Sequence, residues 1–420
     1  MTFDEKKSFI DWRHKGFPTT EEINFDLVIE QQWNILDGDA FLPMLVIKES
    51  AISHNLDVVH GYCKDNGFSI APHGKTTMSP EIVARQFAAG SWAITAATVS
   101  QAKIFRAFGS PRVLIASEVV EPNSIKWISQ QLSDPDFEIL CLVDSVDGVK
   151  ILDTSLGESN GRPRLKVLLE LGMAEGRTGC RSLEQVAATV AEIGKSENLA
   201  LAGVEAFEGV VHYDSDGLKI VDGFLEQVFQ TAQRLEAQGD FVHVSEIIIS
   251  AGGSAFPDRV VNSFTSKWLG KRPIRIVLRS GCYITHDHGL YERASPFGSR
   301  LNTHSLKPAL EIWGAVISRP EPNLALLNFG KRDVAYDIDL PTALWIKHRG
   351  TNQLNTASGL NIFELNDQHA FVRVDQSIEL NVGDFVGAGI SHPCTAFDKW
   401  RMIPVVADDY QIVSVVSTYF

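Results

Sequence analysis

From Phe68 onward, hydrophobic and polar positions alternate in blocks. Apolar runs at 68–71, 92–95, 112–116, 138–143, 164–171, 201–207, 245–250 and 273–279 predict strands, and most of the intervals predict helices. Several runs are apolar with little alternation, such as Ile247-Ile248-Ile249 and Leu165 to Leu169 (broken by Lys166). Strands buried on both faces of a parallel sheet read this way. The stretch after Arg181 shows the helical counterpart: Ser182 and Gln185 make a capping-box pattern, and Leu183, Val186, Val190 and Ile193 share one face. Eight strand–helix units over about 215 residues predict a (β/α)8 barrel of the TIM type, with an open doubly wound sheet as the alternative.

The flanks read differently. Residues 1–40 are polar and broken by Gly and Pro, with Trp12, Phe25 and Trp33 as anchors. A short apolar run, Leu42 to Ile47, precedes a helix expected from about Glu49 to Asn66, where Ile52, Leu56, Val59 and Tyr62 keep helical spacing. After about residue 300 the helical period fades. Ala309–Ile317, Leu324–Asn328, Ala370–Val374, Asp384–Gly387 and Gln411–Val416 predict short strands separated by Asn and Asp turns. The expected division is a segment 1–47 pairing with the last domain, a barrel over 48–300, and a mainly antiparallel β domain over 301–420.

Composition narrows the class. With 44% hydrophobic and 21% charged residues, the chain of 420 residues can bury a large core. A net charge of −14 argues against a nucleic-acid-binding face. Cys63, Cys141, Cys180, Cys282 and Cys394 are scattered and odd in number, which fits a reduced cytosolic protein rather than a disulfide framework. The first residues carry no apolar signal core, and no run approaches the roughly 20 apolar residues of a membrane span. The expectation is a soluble, cytoplasmic protein without a membrane or nucleic-acid partner.

The chemistry centres on Ala71-Pro72-His73-Gly74-Lys75-Thr76-Thr77, between the first barrel strand and a helix started by Ser79-Pro80-Glu81. Functional groups collect at the C-terminal ends of barrel strands. A lysine there, beside Gly and His, is a candidate for Schiff-base chemistry, against the plain alternative of a solvated lysine. The run 245–250 leads into Ser250-Ala251-Gly252-Gly253-Ser254, and the run 273–279 into Ser280-Gly281-Cys282-Tyr283. Glycine-rich turns after strands seven and eight are where barrels hold phosphate on backbone N–H groups. In a closed barrel they adjoin the first strand. That is the arrangement pyridoxal phosphate requires, with aldehyde at Lys75 and phosphate on the turns. Two metal candidates stand out: His286-Asp287-His288, set against a capping or salt-bridge role, and His392-Pro393-Cys394, set against a buried Cys beside a loop His.

Pro72-His73-Gly74-Lys75-Thr76, then Ser79-Pro80-Glu81-Ile82, Thr95-Ala96-Ala97-Thr98-Val99 and the distant His-Pro-Cys together resemble the D-serine dehydratase and D-threonine aldolase group of the alanine-racemase-like (fold type III) pyridoxal phosphate enzymes. The resemblance runs from about residue 40 to the end. It implies a barrel plus a β domain and a homodimer. It implies that Lys75 carries the cofactor, with His73 orienting Lys75 or standing behind it. Arg177 in Gly172-to-Gly179 contacts the cofactor ring, and Gly252, Gly253, Ser254, Gly281 and Tyr283 hold its phosphate. His392 and Cys394 bind a divalent metal, zinc first and manganese second. In this group the second metal ligand is typically Cys in dehydratases and Asp in aldolases, so Cys394 favours a dehydratase acting on D-serine or a related 3-hydroxy-D-amino acid. Retro-aldol cleavage, racemisation and a non-catalytic pyridoxal-phosphate-binding protein are the alternatives. One departure stands out: Phe207-Glu208-Gly209 replaces the usual Tyr-x-Gly and lacks its hydroxyl.

Overall fold

A computed structural model describes residues 9–158, 161–265, 268–351 and 353–420, so the first eight residues of the expected 1–47 segment lie outside the described residues. Eight parallel strands carry the fold: β1 (Ser69–Ile70), β2 (Ile94–Ala96), β3 (Arg112–Glu118), β4 (Glu138–Val143), β5 (Leu165–Leu171), β6 (Leu199–Ala206), β7 (Ile247–Ala251) and β8 (Ile274–Leu278). Neighbours pair in sequence order from β2 to β8, and β8 pairs with β1. Between β1 and β2 the N–H of Trp92 donates to the carbonyl of Ile70, and that of Thr95 to Pro72, each at 2.8 Å. The ring is therefore closed, as the eight-unit rhythm predicts.

Period-two patterning decides what faces inward. Ala71, Leu114, Leu140, Leu142, Leu168, Ala202, Ile248 and Val277 fill the lumen. Their strand neighbours Val113, Ile115, Ile139, Cys141, Val167, Leu169, Ile247, Ile249 and Leu278 face the outer helices. Helix Leu183–Lys195 starts as its cap predicts: Ser182 Oγ accepts from the N–H of Gln185. The Gln185 side chain in turn accepts from the N–H of Arg181 at 2.6 Å. The helix over Glu49–Asp65 buries Ile52, Leu56, Val59 and Tyr62.

The remainder forms antiparallel sheet. Leu310–Glu321 is its spine, flanked by Phe385–Gly389 and Leu324–Leu327. The early strand Met44–Lys48 pairs antiparallel with that spine, Ile47 opposite Leu310, and parallel with Met402–Val406. The strand Met44–Lys48 before the barrel and the strands after it thus share one sheet, with the barrel between them in sequence. Thr342–Lys347, Leu360–Leu365 and Met402–Val406 are additional strands that the hydrophobic pattern does not reveal. Among the described residues, no helix is long and apolar enough to cross a membrane.

Candidate active site

Lys75 sits in the 3-10 turn Gly74–Thr76 that follows β1. The turn is pinned from below: a Cβ on Gly74 would lie 2.3 Å from Phe105 Cζ, so only glycine lets the turn settle on that ring. Ser79 caps the next helix, with its hydroxyl facing the N–H of Ile82, and Pro80 occupies the first turn. Among the described residues no side chain is hydrogen-bonded or ion-paired to Lys75 Nζ. His73 precedes it and is half-buried. Burial, and then the cations Lys75, Arg279 and Arg177, hold this imidazole well below its ordinary pKa, so it is neutral. Its Nδ1 is buried without a partner.

The lumen-facing positions change character at this end of the barrel. Continuing each inward phase by two residues leads from Ala71 to His73, from Leu168 to Glu170 and from Val277 to Arg279. Glu118 arrives by the same parity on β3, whereas on β6 a register shift after Leu201 resets the phase and brings Glu205 opposite Glu170. Arg279 is nearly fully buried and pairs through Nη2 with Glu205 and with the carbonyl of Ala206. Its Nε has no partner, nor do Glu118 Oε1, Glu170 Oε2 and Glu205 Oε2. Burial, outweighing Arg279, pushes Glu205 up to about 8. Burial and then the adjacent Glu170 push Glu118 up to about 9. Native proteins seldom leave so many buried polar atoms unsatisfied unless something else is meant to meet them.

The two glycine-rich turns lie beside this cluster, with one difference from expectation. The N–H groups of Gly252 and Gly253, predicted phosphate donors, are already taken by the buried Glu208 carboxylate at 3.1 and 2.7 Å. Among the described residues, the backbone N–H groups of Ser254, Gly281 and Cys282 have no partner. A small cavity lined by Ser254, Ser280, Cys282 and Tyr283, among others, opens here. The Tyr283 hydroxyl points away, towards His60 Nε2 at 3.0 Å and Gln86 Nε2 at 3.3 Å, both on outer helices. The hydroxyl is therefore turned from the cavity between the two glycine-rich turns. Arg177 is exposed, with its guanidinium 4.2 Å over the Phe207 ring, so that phenyl serves as its platform.

His392 and Cys394 meet the same mouth from the β domain, by a route other than the predicted extended segment. His392 is left-handed at φ 60, and Cys394 opens the short helix Cys394–Phe397. The turn brings the imidazole to the thiol. His392 Nδ1 lies 2.6 Å from Asp337 Oδ2, which fixes the ring, and its backbone N–H donates to Asp287 at 2.9 Å. Cys282 and His392, against burial, hold the Cys394 thiol below its ordinary range. Cys394 and then Asp337 raise His392 to about 9. Thr76 Oγ1, one residue from Lys75, lies 3.5 Å from Cys394 Sγ.

His286-Asp287-His288 does not form a metal pair. His286 is left-handed at φ 46, which breaks the extended geometry, and its Nε2 faces Glu292 at 3.1 Å. Asp287 instead caps helix Leu290–Ala294, accepting from the N–H groups of Gly289 and Tyr291. Among the described residues, no group of three or more His, Cys, Asp or Glu is set to hold a metal ion. Glu118, Glu170, Glu205, Glu208, Arg279 and Asp337 join the site with no role given to them by the motifs above. The signal for three of them, Glu118, Glu170 and Arg279, is the inward parity of their strands, while Glu205 is masked by the register shift on β6.

Comparisons with known proteins bear on the fold and on the chain's relatives. The family described as "Putative serine dehydratase domain" matches residues 309–406. The chain is 27% identical over 305 residues to 3-hydroxy-D-aspartate aldolase of Paracoccus denitrificans (strain Pd 1222), covering 71% of this chain and 74% of that protein. It is 23% identical over 370 residues to D-threonine aldolase of Arthrobacter sp, covering 87% and 89%. Among solved structures, D-threo-3-hydroxyaspartate dehydratase from Delftia sp. HT23 superposes with a TM-score of 0.70 at 19% identity, covering 90% of this chain and 97% of that one. Alanine racemase of Clostridium difficile 630 follows at 0.59 and 14% identity, covering 90% and 99%. The fold is the alanine-racemase-like one.

Proposed function

We propose that this chain, whose relatives and fold are those of the D-serine dehydratase and D-threonine aldolase group, is a pyridoxal-phosphate-dependent lyase that eliminates water from a 3-hydroxy-D-amino acid, D-serine being the simplest, to give a keto acid and ammonia. One observation carries this reading: Thr76, beside Lys75, contacts Cys394, so the barrel's lysine and the β domain's His–Cys pair address one space.

The residues fit the cofactor. Among the described residues Lys75 Nζ has no side-chain partner, the turns at Ser254 and Gly281–Cys282 present backbone N–H groups to a phosphate, and Arg279 Nε is a buried donor in need of an acceptor. Arg177 borders the ring side from its perch on Phe207. Pyridoxal phosphate supplies an electron sink for the bond broken at Cα. Lys75 is the base for the Cα proton, and the neutral His73 behind it adds no competing charge.

The residues also fit a divalent metal. Imidazole and thiolate both suit zinc, with manganese second, and two protein ligands leave positions for water and substrate. The metal supplies a Lewis acid for the β-oxygen, which otherwise leaves as hydroxide. Asp337 holds the His392 ring through Nδ1, which leaves Nε2 as its ligand atom. Two solved variants of D-threo-3-hydroxyaspartate dehydratase replace a histidine and, two positions on, a cysteine, the latter in a metal-free form. His392 and Cys394 have the same spacing, which supports the metal role and the elimination reading.

The relatives named as aldolases favour a second reading, retro-aldol cleavage at the same site. Product analysis on a panel of 3-hydroxy-D-amino acids separates the two. Keto acid with ammonia is the expected outcome; glycine with an aldehyde replaces the first reading by the second.

A further inference from the structure

Cys282 and Cys394 stand 112 positions apart in sequence, yet their sulfurs lie 3.3 Å apart. We propose that they form an oxidative modification site, which a small peroxide converts into a disulfide joining the barrel to the β domain across the mouth of the site.

The geometry is specific to this pair. Cys282 belongs to the turn after β8, and Cys394 opens helix Cys394–Phe397, so both sulfurs are carried on ordered backbone. A disulfide requires the sulfurs to close by roughly 1.3 Å, within reach of side-chain rotation. Thr76 Oγ1 sits beside both, at 3.7 Å from Cys282 and 3.5 Å from Cys394, and does not stand between them as a bond would require. The other three cysteines are buried elsewhere: Cys63 and Cys141 in the apolar core, and Cys180 on the carbonyl of Asp144 at 3.0 Å. Exposure sets the order of events. Cys394 is only partly buried, whereas Cys282 is 5% exposed, so an oxidant arriving from the mouth meets Cys394 first.

With hydrogen peroxide the chemistry balances. The Cys394 sulfur attacks one peroxide oxygen, the O–O bond breaks, and the departing hydroxide takes the thiol proton as water, leaving a sulfenic acid. The Cys282 sulfur then attacks the Cys394 sulfur. An S–S bond forms, the S–O bond breaks, and the second water carries away the Cys282 proton. Two thiols and one peroxide give one disulfide and two waters. Cys394 then has no thiolate to offer a metal. That consequence rests on the proposed metal role; the modification itself does not.

The test treats the metal-free full chain with a slight excess of hydrogen peroxide, then counts thiols after unfolding and maps peptides. Loss of two of the five thiols is expected, with a Cys282–Cys394 linked peptide that a thiol reductant reverses. Cys282→Ser should abolish the linked peptide and leave Cys394 as a sulfenic acid that dimedone traps. Cys394→Ser should keep its four remaining thiols under the same dose. Cys141→Ser should still lose two. No linked peptide in the parent chain, or equal thiol loss in the Cys394→Ser variant, overturns the proposal. A zinc-loaded arm separates the two readings. Protection by zinc fits both, whereas cross-linking at an unchanged rate keeps the disulfide site and removes Cys394 from the metal site.

Discussion

Lys75 is held by its neighbours rather than by a partner of its own. Pro72, Gly74 and Phe105 fix the turn, and Nζ makes no bond that the folded chain needs. Replacing it should therefore spare the fold and remove the chemistry. Lys75→Ala is expected to melt within about 1 kcal/mol of the parent, to lose the visible absorbance of bound pyridoxal phosphate, and to lose turnover by about 10²–10⁴-fold or more. Full retention of that absorbance would remove Lys75 from its role. The lumen carboxylates make a second prediction. An unfolded glutamate releases its proton near 4.5, whereas Glu118 holds its own up to about 9, through burial and then Glu170. Between those values the folded chain binds more protons than the unfolded one, so stability falls as pH rises. Melting of the cofactor-free protein should shift downward between about pH 6 and pH 9. Glu118→Gln, which keeps the shape and cannot ionise, should flatten that slope. An identical slope in the variant would place the titration elsewhere.

At the scale of elements, the barrel was legible because its strands bury both faces. Leu140 and Leu142 look inward while Ile139, Cys141 and Val143 look outward, so the apolar run is unbroken and its ends are sharp. The β domain was harder to read. Thr342–Lys347 is only partly buried along most of its length, and Met402–Val406 contains Pro404, a residue that argues against a strand until a pairing partner is known. Lys75, His392 and Cys394 were visible through motif. Arg279 and Glu170 were not, because charged side chains default to a solvated reading and only inward parity contradicts it, and at Glu205 a register shift on β6 removes even that signal. Glu208 was beyond sequence reasoning: its carboxylate fills a nest on a loop 44 and 45 residues away. The contact of the β8 turn with the β1 turn is equally long-range and gives a sharp test. A Cβ on Gly281 would lie 2.5 Å from the His73 carbonyl oxygen and 2.8 Å from Thr76 Oγ1. Gly281→Ala must push the two turns apart. A cost of about 1–3 kcal/mol in denaturant unfolding is expected, together with weaker cofactor binding by equilibrium dialysis. Parent-like affinity would mean that the turns need not touch to hold the phosphate.

At the scale of the molecule, the division of labour between domains determines what each loss should look like. Every residue proposed to hold the cofactor lies on the barrel, while His392, Cys394 and Asp337 come from the β domain. The two are tied at several points. Glu81 accepts from the backbone and hydroxyl of Ser417 at 3.1 and 2.7 Å, Asp287 accepts from the N–H of His392, and Asn55 donates to the carbonyl of Lys307 at 2.8 Å. These ties do not involve a metal, so removing one should leave the domains docked and the cofactor in place. Chelation is therefore expected to abolish elimination while the cofactor absorbance stays, and zinc should restore turnover. Asp337→Ala sharpens the point, because among the described residues the side chain of Asp337 is bonded to His392 and Thr395 and to no residue of the cofactor cradle. The variant should bind cofactor as the parent does and require about 10–100-fold more zinc for half-maximal activity. If chelation strips the cofactor along with the metal, the two sites are not independent. If turnover survives chelation with the metal absent by direct analysis, the hydroxyl departs without a Lewis acid and His392–Cys394 has some other task.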